Sequence, residues 1–135
     1  MQGHAQVNFI GQVKSELKTV KDCPCQEKEG APAARVEIFP PFRDALNGIK
    51  QGSHLVILTW FHKANRETLK VHPRGNPKNP LAGVFFTRSP NRPNPIGLHT
   101  VRVTDVDENG LTVEPLEALD KTPVIDIKIS IPMVR

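Results

Sequence analysis

The chain has 135 residues, 24% of them charged and 38% hydrophobic, with a formal net charge of +4. That length fits one domain over residues 1–135 with a core that needs no covalent staple. No apolar run approaches the roughly 18–20 residues of a spanning helix, and no basic-then-apolar leader opens the chain, so a cytoplasmic protein without a membrane partner is expected.

Taken in chain order, Val7 and Phe9 open a period-two pattern that predicts a first strand running to Val13. Residues 14–34 are irregular and contain Cys23 and Cys25, separated only by Pro24. So short and rigid a span strains a disulfide, and two thiolates cannot close a zinc site alone, so no metal is expected. Val36 and Ile38 alternate with Arg35 and Glu37 as a second strand. After Pro40-Pro41, the i, i+4, i+7 spacing of Phe42, Leu46 and Ile49 predicts one short amphipathic helix ending near Gly48 or Gly52. HLVILTWF (54–61) is continuously apolar and β-branched, which predicts a strand buried on both faces, with Trp60 and Phe61 in the core.

Residues 63–81 are rich in Pro, Asn and Lys/Arg and read as a long loop, a feature compact domains usually keep for function. GVFFT (83–87) reads as another short strand. The next ten residues, RSPNRPNPIG, hold three prolines and can form neither helix interior nor central strand. Val101 and Val103 alternate with polar neighbours, and Asn109-Gly110 predicts a hairpin turn into LTVEPL. Ile125, Ile127, Ile129 and Ile131 alternate with Asp126, Lys128 and Ser130 as the last strand. About seven short strands and one short helix predict a mainly β protein, an antiparallel barrel or sandwich.

Charge is unevenly spread. Between His62 and Thr104 eight Lys/Arg side chains face Glu67 alone, and His62, His72 and His99 lie in the same stretch. That concentration suits an anionic partner such as RNA, a nucleotide or a phosphate, or it is a solvated basic surface. There is no GxGxxG, P-loop, HExxH or GxSxG pattern. In RSPNRPNPIGL the prolines lower the entropy cost of ordering around a ligand, arginine offers planar paired donors, Asn94 one donor and one acceptor group, and Gly97 close backbone approach. The stretch reads as a preformed rim for a polar small molecule, or as a stiff corner whose prolines only prevent edge pairing. On the residues alone both readings stand.

RSPNRPNPIGL also resembles the signature of the TrmO/TsaA-like β-barrel methyltransferases, which use S-adenosyl-L-methionine to methylate transfer RNA. GQVKS, VEIFPPFRDALNGIKQGSHLVILTWFH, HPRGNP, GVFFTRSP and LDKTPVIDIK extend the resemblance, in the family's order, over nearly the whole chain. It implies a small antiparallel β-barrel and a cofactor pocket outside the Rossmann class, commonly formed across a homodimer. Carried over by position, Arg88 and Leu98 flank the cofactor and His62 and Lys63 line it. Pro24, Cys25 and Gln26 form one further contact segment, and Ala118, Leu119, Asp120 and Lys121 another.

The implied reaction is N6-methylation of a threonylcarbamoyl-adenosine beside the anticodon, at position 37. A carboxylate or backbone carbonyl accepting the amino N–H would hold that weak nucleophile in line; Asp120 and Asp126 are the candidates, with Asp126 taken as the catalytic residue. Its other reading is a surface charge paired with Lys128. Asp120 also reads as a turn residue, and His62 as a hydrogen-bonded structural residue. With no Tyr and few aromatics, base stacking lacks an obvious provider. Contact with tRNA is expected from Arg66, Lys70, Arg74, Lys78 and Arg92, through phosphates and stacked guanidinium planes. No DNA partner is expected. The alternatives are a noncatalytic RNA- or nucleotide-binding barrel and a methyltransferase of small molecules.

Overall fold

The computed structural model describes residues 3–16 and 33–131. Among the described residues eight strands are formed: β1 (Gly11–Lys14), β2 (Ala34–Ile38), β3 (His54–Trp60), β4 (Lys70–Val71), β5 (Ala82–Gly83), β6 (Ile96–Asp107), β7 (Gly110–Glu114) and β8 (Pro123–Ile129). Six of them close an antiparallel barrel in the order β1-β2-β7-β6-β3-β8, and β4 pairs with β5 outside it. The expected β-barrel is therefore the fold, in its closed form.

Inward positions alternate along each strand because successive side chains leave a pleated strand on opposite faces. Val13, Val36, Ile57, Val103, Leu111, Val113 and Val124 are fully buried. Leu116 and Ala118, between β7 and β8, join this core. On the outer wall Lys14 meets Glu37 at 2.8 Å and Arg35 meets Asp107 at 2.7 Å. The bond from Lys14 holds the Glu37 carboxyl below its ordinary range, and that from Arg35 does the same for Asp107.

Several local expectations are corrected. The first strand begins at Gly11, and Val7 and Phe9 stay largely exposed ahead of it. The expected helix is a 3-10 helix over Pro40–Leu46 that buries Leu46 and packs Phe42 partly on the core. β3 buries Leu55, Ile57 and Thr59 but leaves Val56, Leu58 and Trp60 half-buried, because a barrel strand has only one inner face. The segment 63–81 is not structureless: Lys70–Val71 pairs with Ala82–Gly83, making an arm that carries the turn 72–81. GVFFT is no barrel strand, for β5 takes only its Gly83 and a 3-10 turn over Val84–Phe86 follows. On β8 the core is met by Val124 and Ile127, whereas Ile129 and Ile131 are 60% and 77% exposed. A register shift at Leu58/Thr59 breaks the strict alternation there.

Candidate functional site

Antiparallel closure decides which ends of the strands meet. The C-terminal ends of β1, β3 and β7 and the N-terminal ends of β2, β6 and β8 share one rim. That rim therefore carries the described ends flanking β1 and β2 (15–16 and 33) and the segments 61–95 and 115–122. The opposite rim carries the 3-10 helix over Pro40–Leu46 and the β6–β7 hairpin. Among the described residues, every sequence-derived site residue outside the barrel strands thus lies on a segment rooted at a single end of the barrel.

The proline-rich loop is held mainly by one side chain. Arg92 donates from Nε to the Ser89 carbonyl at 2.8 Å and from one terminal nitrogen to the carbonyls of Val84 and Thr87, both at 2.6 Å. The Thr87 hydroxyl also donates to Val84 O at 2.9 Å, and its oxygen accepts from the Ser89 amide. Ionised donors make the stronger hydrogen bonds. Arg92, expected on RNA, therefore spends most of its guanidinium inside the protein, and Arg88 is left exposed between the anchored carbonyls.

Beneath the loop the core turns polar. Thr59 and His99 are buried, with Thr59 Oγ1 2.8 Å from His99 Nε2, and the edge of Phe61 meets the imidazole ring with centroids 5.9 Å apart. Gly97 is required here. A Cβ on it would fall 2.4 Å from Thr59 Oγ1, 2.5 Å from Phe61 Cζ and 2.8 Å from His99 Nε2. Because Phe61 N donates to Pro95 O, this cluster also fixes where the loop enters β6.

The remaining candidates divide. His62 and Lys63 are exposed just past β3. Leu98 points outward, 46% exposed, and lies opposite Leu58 on β3, which in turn lies opposite Asp126 on β8. Asp126 is half-exposed, its Oδ1 accepts from the Ile127 amide and its Oδ2 lies 3.6 Å from Lys128 Nζ. Asp120 and Lys121 instead line a cleft of about 710 Å³ with Gln12, Lys14, Arg35 and Thr112, on the β1-β2-β7 half of the barrel. Asp120 accepts from the Ser15 amide at 2.9 Å. The Leu119 carbonyl accepts a hydrogen bond from the Thr122 hydroxyl, and Ala118 is 2% exposed with its methyl in the core. Pro24, Cys25 and Gln26 lie outside the described residues. Among the described residues no group of three His, Cys, Asp or Glu could hold a metal.

The cations expected on RNA sit along 61–95. Lys70, Arg74 and Lys78 are exposed on the β4–β5 arm, whose turn is tied by Asn79 Nδ2 donating to Pro73 O and by His72 Nδ1 at 2.8 Å from Asn79 O. Arg66 donates to Pro93 O and lies over Trp60, 5.0 Å from the ring centroid. Sequence reasoning missed Phe85 and Phe86, 86% and 87% exposed. The apolar run hid them; the only cue was that a strand there would end against three prolines.

Three comparisons bear on this arrangement. Residues 12–134 match the family described as the tRNA-methyltransferase O N-terminal domain. A probable S-adenosyl-L-methionine-binding protein of Methanocaldococcus jannaschii is 48% identical over 98 residues, covering 70% of this chain and 78% of its own. An S-adenosyl-L-methionine-binding protein of Archaeoglobus fulgidus is 45% identical over 119 residues, covering 88% and 84%. The crystal structure of TrmO from Pseudomonas aeruginosa superposes with a TM-score of 0.78 at 32% identity, over 98% of this chain. This chain spans 57% of the length of that structure. No helix among the described residues is long and apolar enough to cross a membrane. With the barrel, the anchored proline loop and the match over residues 12–134 in agreement, the chain belongs to the tRNA-methyltransferase O N-terminal domain family.

Proposed function

We propose that this rim binds S-adenosyl-L-methionine and that the protein, as a cytoplasmic homodimer, methylates N6 of a threonylcarbamoyl-adenosine beside the anticodon of a tRNA. The observation that carries this reading is the anchored loop: three carbonyls held by Arg92 present Arg88 at the mouth where β3 and β6 meet. When bound, the cofactor supplies a methyl group on a cationic sulfur, so catalysis reduces to holding a weak amine in line with it. The residues at hand suit such a molecule. Arg88 can pair with its carboxylate, Asp120 can take its ammonium or ribose hydroxyls, and Leu98 offers an apolar face.

Two features refine the proposal. Leu98 stands on the β6-β3-β8 half of the wall and Asp120 on the β1-β2-β7 half. A second copy that brings its cleft to the Leu98 wall would let both residues face one small molecule, and the homodimer is proposed on that ground. Asp126 lies two strands from Leu98, ~10 Å across the wall at ordinary strand spacing. Its half-exposed carboxylate stands on the same outer wall as Leu98, where it could accept the amino proton of a bound nucleoside.

The test is direct. Calorimetric titration should give saturable binding of the cofactor. Incubation with cofactor and tRNA lacking the modification should raise the threonylcarbamoyl-adenosine peak by one methyl in nucleoside mass spectrometry. Cofactor binding without that gain would leave a methyltransferase of another substrate, and no binding at all would leave a noncatalytic barrel.

A further inference from the structure

Two neighbouring phenylalanines stand almost wholly in solvent on a turn that has no freedom to hide them. Val84 is 2% exposed and fixes the turn in the protein, its amide donating to Leu69 O at 2.9 Å. Its carbonyl accepts from the Thr87 amide, the Thr87 hydroxyl and Arg92. Phe85 and Phe86 project from this pinned turn at 86% and 87% exposure, with Leu69 at 65% and Leu81 at 60% on the segments leading into β4 and β5. Single exposed apolar residues are ordinary, but four on one hydrogen-bonded turn and its flanking segments mark an interaction surface.

Charge decides the class of partner. Along 61–95 seven Lys/Arg residues accompany one acid, Glu67. Lys70 pairs in register with Gly83, the residue before the turn, and Arg88 follows Thr87. A second copy docked here about a two-fold axis would set this cationic stretch against itself. An unpaired nucleobase satisfies both features, since its π-face stacks on a phenyl ring while its phosphates meet the surrounding cations. We infer that Phe85 and Phe86 form a stacking platform for an unstacked base of the RNA, with Arg92 as the positioning residue that holds the turn. The inference rests on the RNA reading above and names the contact through which that reading acts.

The experiment uses an anticodon stem–loop RNA with 2-aminopurine in the loop. The full chain is compared with Phe85→Leu/Phe86→Leu, which keeps apolar bulk and removes the rings. Wild type should quench the 2-aminopurine fluorescence. The double variant should lose the quench and bind about 5- to 140-fold more weakly for each stack lost, with the slope of log affinity against log salt unchanged. Lys78→Ala, by contrast, should lower that slope by about 0.7–0.9, as expected for one lost phosphate contact. Unchanged cofactor affinity of the double variant by calorimetry certifies its fold. Equal RNA affinity and quench in both proteins overturns the platform and leaves the RNA reading intact. A wild type that binds no RNA overturns both. A double variant that turns from dimer to monomer in sedimentation while keeping its RNA affinity assigns the rings to a second copy and overturns the inference.

Discussion

Arg92→Ala removes the guanidinium that joins Ser89, Val84 and Thr87, three carbonyls within eight residues of it. Each hydrogen bond from a charged donor contributes about 1.5–3 kcal/mol when buried. These carbonyls are part-buried and can recover water, so about 1 kcal/mol each is the reasonable figure, some 3 kcal/mol of loop order in all. The loop lies outside the barrel ladder, so that loss surfaces as a smaller population of the binding-competent loop more than as global unfolding. A free-energy cost of about 3 kcal/mol lowers apparent cofactor affinity by at most roughly 150-fold. The thermal midpoint should fall by only a few degrees. Arg92→Lys, a single point donor that cannot serve three carbonyls, should recover only part of the loss. Titration calorimetry measures the affinity, and hydrogen exchange at the Thr87 amide, which donates to Val84 O at 3.0 Å, reports the loop directly. Wild-type affinity together with an undiminished Thr87 protection factor in Arg92→Ala would refute the pinning argument.

Arg88→Ala should lower cofactor affinity about 10- to 150-fold, the worth of one charge-assisted contact, with an unchanged melting curve; normal affinity would return Arg88 to the loop's solvent face. Gly97→Ala should cost about 1–3 kcal/mol, since its Cβ overpacks Thr59, Phe61 and His99, and a urea midpoint equal to wild type would show that the cluster can yield. Asp107 and Glu37 titrate below their ordinary values of 3.8 and 4.5 because of Arg35 and Lys14. Depressed folded-state values stabilise the protein fully above those ordinary values and cease to do so as pH falls through the folded ones. Urea midpoints should therefore drop below about pH 4, and Asp107→Asn should flatten part of that acid limb; an identical limb in the variant would remove Asp107 from the account.

The site was only partly legible beforehand. RSPNRPNPIGL announced a stiff, arginine-bearing loop because proline's fixed φ acts on the local chain whatever surrounds it. The division of labour between its arginines was not legible. Arg88 and Arg92 are alike in composition and context, and only the carbonyls of Val84, Ser89 and Thr87 converging on Arg92 separate an internal clasp from an outward contact. GVFFT misled for a related reason: the ladder to β4 ends with the Val84 amide on Leu69 O, the chain then turns into a 3-10 helix, and only Val84 of the run's apolar side chains is buried. Leu98 and Asp126 were named from resemblance, yet their shared neighbour Leu58 is a product of register.

What the amino-acid order determined by itself was periodicity and punctuation: alternating strands, the Asn109-Gly110 hairpin, the proline corner and the run of cations. These depend on dihedral preference and on which face of a pleat each residue takes, both local quantities. Tertiary structure alone decided that the segments 61–95 and 115–122 share one rim, that a polar pair lies buried in the core there, and that two phenyl rings face water. Closing the barrel sets the alternation of strand ends and the contents of its single inner face, and both depend on pairings between residues far apart in the chain.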